Sequence, residues 1–132
     1  MVVVDSSVWI RYFRNQRPWA DELERLLILN DVAGHELVYG ELLIGNPGGR
    51  RRALNAFSRF EAAAVVPHKE VVDFVQHHKL SGRGVGWMDI HLLASAILGN
   101  LKLWSADQNL VTLATEFNIA HTIPGSAPLR VV

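Results

Sequence analysis

The chain has 132 residues, enough to bury a hydrophobic core without disulfides, and we expect residues 1–132 to form one domain. The absence of cysteine excludes a disulfide framework and zinc–thiolate sites, and is typical of a reducing cytoplasm. Thirteen basic residues balance thirteen acidic ones, so contact with a polyanion would need a local basic patch. Neither a signal peptide nor an apolar stretch of ~20 residues is visible, so we expect a cytoplasmic protein without membrane contact.

In the first part of the chain, short apolar runs alternate with longer amphipathic stretches. The β-branched run at 2–4 is typical of a short buried strand. Residues 19–30 have an acidic first turn and leucines at helical spacing, which predicts an amphipathic helix. The predicted elements of this part are a strand at 2–4, helices at 6–13 and 19–30, a weak strand at 31–34, and a helix at 35–44 that ends at the glycine-rich segment 45–49.

The same alternation continues in the second part. Its predicted elements are a helix at 50–60, a strand at 63–66 stopped by a proline, a helix at 68–80, a glycine-rich loop at 81–86, an apolar helix at 88–98, a strand at 101–104, a helix at 107–117 and a last strand at 119–123. Strands that alternate with helices predict an α/β protein whose parallel sheet is covered on both faces. In such sheets, ligands bind outside the carboxyl ends of the strands.

Four acidic side chains are expected to reach that edge of the sheet. Asp5 directly follows the first strand, and Asp107 follows the strand at 101–104. Asp89 begins the apolar helix after the glycine loop, and Glu41 lies inside a helix among mostly apolar neighbours. Taken singly, each has a structural explanation, because a carboxylate at a helix start accepts free backbone N–H groups and one inside a helix can face solvent.

Taken together, the four carboxylates favour a metal site. Without a cation they would repel each other and take up protons. Magnesium relieves this repulsion, since it prefers oxygen ligands, keeps several waters and takes only a few carboxylates. Such a site activates a water molecule and stabilises a phosphoryl group in a displacement reaction.

Three neighbouring polar residues leave two interpretations open. Ser7 follows Asp5 by two residues, and Ser105 precedes Asp107 by two. Each hydroxyl either orients a carboxylate or belongs to an ordinary turn or cap. Asn109 either adds a neutral oxygen near the metal or is simply an exposed helical residue.

Four sequence blocks surround the acids in the order VVDSSVWI at 3–10, LVYGELLIG at 37–45, VGWMDIHLLASA at 85–96 and LWSADQNL at 103–110. In these blocks the chain resembles the PIN-domain ribonucleases, and within them the VapC-type toxins of type II toxin–antitoxin systems. The resemblance implies a three-layer α/β/α fold with a central, mainly parallel sheet. It also implies magnesium- or manganese-dependent endoribonuclease activity and a cognate antitoxin encoded beside the toxin. On this match, the family's acidic metal-site positions are Asp5, Glu41, Asp89 and Asp107.

Two departures from the family pattern bear on the number of metals. Many members carry a further acidic residue where this chain has Asn109, and many have threonine where it has Ser105. Serine keeps the hydroxyl. Asparagine removes a charge that a second metal would need, so one and two metals both stay open.

Rival interpretations receive less support. A phosphoacceptor signalling domain would need an acidic pair beside the first strand and a lysine late in a strand, whereas Asp5 stands alone and Lys102 comes early. A catalytically degenerate PIN-like domain that binds RNA or a partner protein is the alternative function. The six histidines lack metal-ligand spacing, which disfavours zinc.

Other features concern partners. The arginines at 11, 14 and 17, at 50–52 and at 83 either face solvent or contact phosphate. The tryptophans are expected to fill the core or an interface rather than stack on bases. Apolar residues make up 49% of this small neutral chain, and with the resemblance this favours a homodimer.

Overall fold

The computed structural model describes residues 1–45 and 50–125, so residues 46–49 of the predicted glycine-rich segment lie outside the described residues. The described residues form seven helices and a four-stranded sheet. The elements are β1 (Val2–Val4), α1 (Ser6–Phe13), α2 (Trp19–Ile28), β2 (Val32–Gly34), α3 (Glu36–Ile44), α4 (Arg51–Phe57), β3 (Glu61–Ala62), α5 (His68–His78), α6 (Trp87–Leu98), β4 (Lys102–Trp104) and α7 (Gln108–Glu116).

All four strands are parallel, in the order β3-β2-β1-β4. Val3, at the centre of β1, lies opposite Ala33 on one side and Leu103 on the other, and all three are buried. Parallel neighbours need long crossover connections, and the helices supply them. In the helical layers, α1 packs against α2 and α3, α3 packs against α4, and α5 packs against α6. The predicted three-layer α/β/α fold is confirmed.

The order of the strands reverses once along the chain. From β1 the chain adds β2 and then β3 on one side, and it afterwards crosses over to place β4 on the other side of β1. Right-handed crossovers therefore put α1–α4 on one face of the sheet and α5–α6 on the other. The reversal opens a crevice between the carboxyl ends of β1 and β4, which is where ligands bind in open α/β sheets.

Asparagines in the left-handed region return the chain to the sheet after several helices. Asn30 follows α2, Asn100 follows α6 and Asn118 follows α7, with φ values of 54°, 53° and 60°. Asparagine tolerates this conformation better than most residues because its short side chain bonds locally. Each of these turns leads into backbone that pairs within the sheet.

Two predicted strands are wrong in position or extent. The run at 63–66 is not a strand, and the paired strand is β3, two residues earlier. The backbone N–H of Ala63 still donates a hydrogen bond to the Gly34 carbonyl (2.7 Å). The predicted run at 63–66 otherwise lies outside the paired strand, and it buries the side chains of Ala63 and Val66 in the core. Of the predicted strand at 119–123, only a single parallel bridge between Ala120 and Leu103 is present. The predicted helix at 50–60 is shorter and ends at Phe57.

None of the described helices is long and apolar enough to cross a membrane.

Candidate metal centre

Asp5 lies at the crevice between β1 and β4. It is the first residue after β1, and its backbone N–H donates to the carbonyl of Trp104 at the end of β4 (2.9 Å). Its side chain is 3% exposed and makes no cap bond to α1, which begins at the next residue. A buried carboxylate is costly unless it is paired or hydrogen-bonded, so Asp5 needs donors other than the backbone N–H groups of α1.

Two serine hydroxyls supply those donors. Ser7 Oγ and Ser105 Oγ both lie 2.8 Å from Asp5 Oδ2. Each also accepts a backbone N–H, Ser7 from Ala106 (3.0 Å) and Ser105 from Asp107 (3.0 Å). The two hydroxyls also lie 3.3 Å from each other, but each is closer to the carboxylate of Asp5, so we assign both protons to Asp5. Oδ2 thus accepts two short hydrogen bonds, while Oδ1 has a longer contact, 3.5 Å, with the hydroxyl of Ser6.

Asp107 is the N-cap of α7. Its Oδ1 accepts hydrogen bonds from the backbone N–H groups of Asn109 (2.9 Å) and Leu110 (3.3 Å), which leaves Oδ2 outside the cap.

Asn109 is exposed and donates from Nδ2 to the Gly84 carbonyl (3.1 Å), which connects the glycine loop to α7. Gly84 has φ +78°, and a Cβ there would lie only 2.6 Å from Asn109 Nδ2. Only glycine allows this approach without a shift.

Asp89 lies in the first turn of α6 and is half-buried. Burial and, after it, the negative charge of Asp5 raise the pKa of Asp89 to about 6. The charges of Asp107 and Glu41 raise this pKa further, while the backbone N–H of Gly86, 3.3 Å from Oδ2, opposes the rise. Three carboxylates, one directly after β1, one on α3 and one at the N-cap of α7, thus act on the carboxylate of Asp89 in α6.

Glu41 is exposed on α3, so its mostly apolar sequence neighbours do not indicate an inward-facing carboxylate. Within residues 1–45 and 50–125, no three or more Asp, Glu, His or Cys side chains are already arranged to hold a metal ion. The hydrogen bonds explain part of this, since Asp107 is turned toward the start of its helix and Asp89 toward Gly86. The four candidate ligands nevertheless fit a hard divalent cation in two respects. All four are carboxylates, and the negative charges of the other three act on Asp89.

His35 was missed as a residue that supports this site. It follows β2 and caps α3, with Nδ1 accepting the Leu37 N–H (3.1 Å). Nδ1 is therefore unprotonated, and Nε2 donates its hydrogen to Ser95 Oγ on α6 (2.9 Å). The pair is buried and joins the helix of Glu41 to the helix of Asp89. A polar residue at the start of a predicted helix, directly after a predicted strand, was the available signal.

Comparison with known proteins agrees with this architecture. The family model described as PIN domain matches residues 2–116. Two proteins named Ribonuclease VapC32, from Mycobacterium tuberculosis strains CDC 1551 / Oshkosh and ATCC 25618 / H37Rv, are each 37% identical over 122 residues, which cover 91% of this chain and 95% of the relative.

The fold also has a solved counterpart. The crystal structure of PAE2754 from Pyrobaculum aerophilum aligns with a TM-score of 0.53 at 17% identity, over 89% of this chain and 88% of that one. This likeness concerns the fold alone. The resemblance seen in the four sequence blocks is confirmed by the family model and by the two relatives. The chain therefore belongs to the PIN domain family, and within that family to the VapC type.

Proposed function

We propose that the chain is a magnesium-dependent endoribonuclease that hydrolyses RNA phosphodiester bonds and acts as the toxin of a type II toxin–antitoxin pair. Its 37% sequence identity to proteins named Ribonuclease VapC32 supports hydrolysis of RNA as the reaction class. The observation that carries the metal dependence is Asp5, which is buried at the crevice, bound by Ser7 and Ser105, and linked through Ser105 to the backbone N–H of Asp107. The raised pKa of Asp89 agrees with it, because the charge of Asp5 contributes to that rise. Manganese is the alternative ion.

In this proposal the ion is held by Asp5, Glu41, Asp89 and Asp107. When bound, it would lower the pKa of a water molecule and stabilise charge on the phosphoryl oxygens. Ser7 and Ser105 each donate a hydrogen bond to Oδ2 of Asp5, which restricts rotation of this carboxylate. The exposed position of Glu41 leaves its side chain free to turn toward an ion. Without a cation, the four carboxylates would repel an RNA phosphate, so substrate binding itself depends on neutralisation.

The reaction can be tested with the purified chain and single-stranded RNA. We expect cleavage in magnesium, none in EDTA, and recovery when magnesium or manganese is restored. Undiminished cleavage in EDTA would contradict metal dependence. Binding of RNA without cleavage at any magnesium concentration would instead support a degenerate PIN-like domain.

The serines allow a finer test of the site. Ser105→Ala removes a proton donor to Asp5 and an acceptor for the Asp107 N–H, so we expect kcat/KM to fall by roughly 10–100-fold. Ser105→Thr keeps the hydroxyl and should stay within a few-fold of the wild type. Equal activity of the alanine variant and the wild type would show that the hydroxyl does not position Asp5.

The proposed partners are an antitoxin protein and a second copy of the chain, in the cytoplasm. The outer side of α3 supports a protein interface, because Tyr39, Leu43 and Ile44 are all exposed there. A pocket of about 320 Å³ adjoins this side and is lined by Tyr39, Phe57 and Phe60, among others. Light scattering should find a homodimer at micromolar concentration, and a monomer under those conditions would contradict it.

A further inference from the structure

Trp87 differs from the tryptophans of the core. Trp9 and Trp104 are 2% and 3% exposed, as expected for core residues, whereas Trp87 is 43% exposed. Tryptophan carries the largest apolar ring system in proteins, and an exposed one leaves a flat π-surface in water. An exposed tryptophan two residues from Asp89 is therefore available to a ligand of the candidate site.

Trp87 is the first residue of α6, and Asp89 is the third. Helix geometry places their Cα atoms about 5 Å apart, with side chains on different sides of the helix start. The ring of Trp87 and the acidic centre thus lie on either side of the first turn of α6. A nucleotide chain whose phosphate sits at the acidic centre can bring a neighbouring base to the ring.

Two histidines hold the indole in place. The ring of His68, at the start of α5, lies 5.1 Å from it at 54°, and the ring of His91, one turn further along α6, lies 5.2 Å away at 86°. His91 is buried, so it supports the indole from the protein side. Its Nδ1 has no hydrogen-bond partner within residues 1–45 and 50–125. A ring held in this way loses little freedom when a ligand stacks on it.

The charge balance makes a stacking contact valuable here. The protein has no net positive charge, and its acidic centre repels phosphate. Arg83, the basic residue of the nearby glycine loop, is bound to Glu116 at 2.7 Å. Stacking on an aromatic ring adds affinity for nucleic acid without requiring charge, and it accepts any base.

We propose that Trp87 stacks on an unpaired base of the RNA substrate, next to the phosphodiester held at the acidic centre. This inference rests on the proposed function, and it adds a residue outside the acidic centre that contacts the RNA substrate. Bases inside a duplex present no free face, so recognition through Trp87 requires an unstacked base.

The first test compares variants on one single-stranded RNA oligonucleotide whose cut site has been mapped with the wild type. Trp87→Ala should lower kcat/KM by roughly 5- to 100-fold, mainly through KM. Trp87→Phe keeps an aromatic face and should lose only a few-fold. Leu98→Ala is the control, because it shortens an exposed apolar side chain at the other end of the same helix. Thermal melts verify that all three variants fold.

The second test identifies the base. The same oligonucleotide is made with one base removed at a time around the cut site. The wild type should lose activity with one abasic position, and Trp87→Ala should be indifferent to that position. A merely structural role of Trp87 would lower activity on all substrates alike and leave the abasic sensitivity unchanged, which would overturn the inference.

Other outcomes are equally decisive. Wild-type activity of Trp87→Ala on the intact RNA, with loss only of self-association or of binding to a partner protein, would assign the indole to a protein interface. If the wild type cuts no RNA, the proposed function fails, and binding then decides the inference. In that case the oligonucleotide should quench tryptophan fluorescence in the wild type and do so less in Trp87→Phe. Equal quenching in both would overturn stacking at Trp87.

Discussion

Asp5→Asn is expected to lower RNA cleavage by at least about 10²–10³-fold while the fold survives. Asparagine has the same shape, and its carbonyl oxygen can accept the protons of Ser7 and Ser105 as Oδ2 does now. Its amide group would then occupy the place of Oδ1 and present donors where an ion needs an acceptor. The substitution also removes a charge that raises the pKa of Asp89, so the metal-free protein should not lose stability.

The measurement pairs cleavage kinetics with thermal melts of the purified variants. Asp31→Asn is the matched control, because Asp31 lies at the amino end of β2, away from the carboxyl ends of the strands. Its Oδ1 lies 3.4 Å from the amino-terminal nitrogen of Met1. A partly exposed pair of this kind contributes little to stability. The control should cleave like the wild type. Near-wild-type turnover by Asp5→Asn would remove Asp5 from the metal site.

Magnesium is expected to raise the melting temperature of the wild type at neutral pH. An ion that binds only the folded chain stabilises it by about 2.7 kcal/mol at 100 times Kd, which corresponds to roughly 10 °C for a domain of this size. The physical reason is the relief of repulsion among the four carboxylates. The shift should shrink in Asp5→Asn and at acidic pH, where protons compete with the ion. An unchanged midpoint over a wide magnesium range at neutral pH would deprive the nuclease proposal of its physical basis.

The metal-free protein should show the matching pH dependence. The pKa of Asp89 rises from 3.8 to about 6 on folding, so its contribution to stability is fully present below pH 3.8 and is lost as the pH rises to about 6. Two pKa units correspond to about 3 kcal/mol, and we expect about 1 kcal/mol because the half-buried group is screened by solvent.

Other groups oppose this trend, so the variant Asp89→Asn is needed to isolate it. Burial lowers the pKa of His35 below 6.5, so its contribution is present above 6.5 and is lost as the pH falls. The bond from Arg25 lowers the pKa of Glu22 below 4.5, so that contribution is also lost in acid. The melting difference between Asp89→Asn and the wild type should be small near pH 4 and favour the variant at pH 7. A constant difference across this range would contradict the raised pKa.

The elements that the sequence determined by itself are those that depend on local patterns. The β-branched run of β1, the amphipathic spacing of α2 and the apolar α6 each carry their own signal within a few turns of chain, and all three are confirmed. The positions of Asp5 after β1 and Asp107 at the start of α7 follow from the same signals. Their role as metal ligands stays a prediction, because no ion or cleavage measurement bears on it.

Tertiary structure decided what depends on partners distant in the chain. The position of β3 is set by hydrogen bonds to β2, which local apolarity at 63–66 cannot reveal. The bond between His35 and Ser95 spans 60 residues, and the raised pKa of Asp89 depends on carboxylates from three other elements. The exposure of Trp87 likewise depends on what packs around the start of α6, not on the hydrophobicity of the residue. The sequence determines which chemical groups are present, but the distances between them are fixed only when the strands assemble into the sheet. Electrostatic and stacking energies depend on those distances.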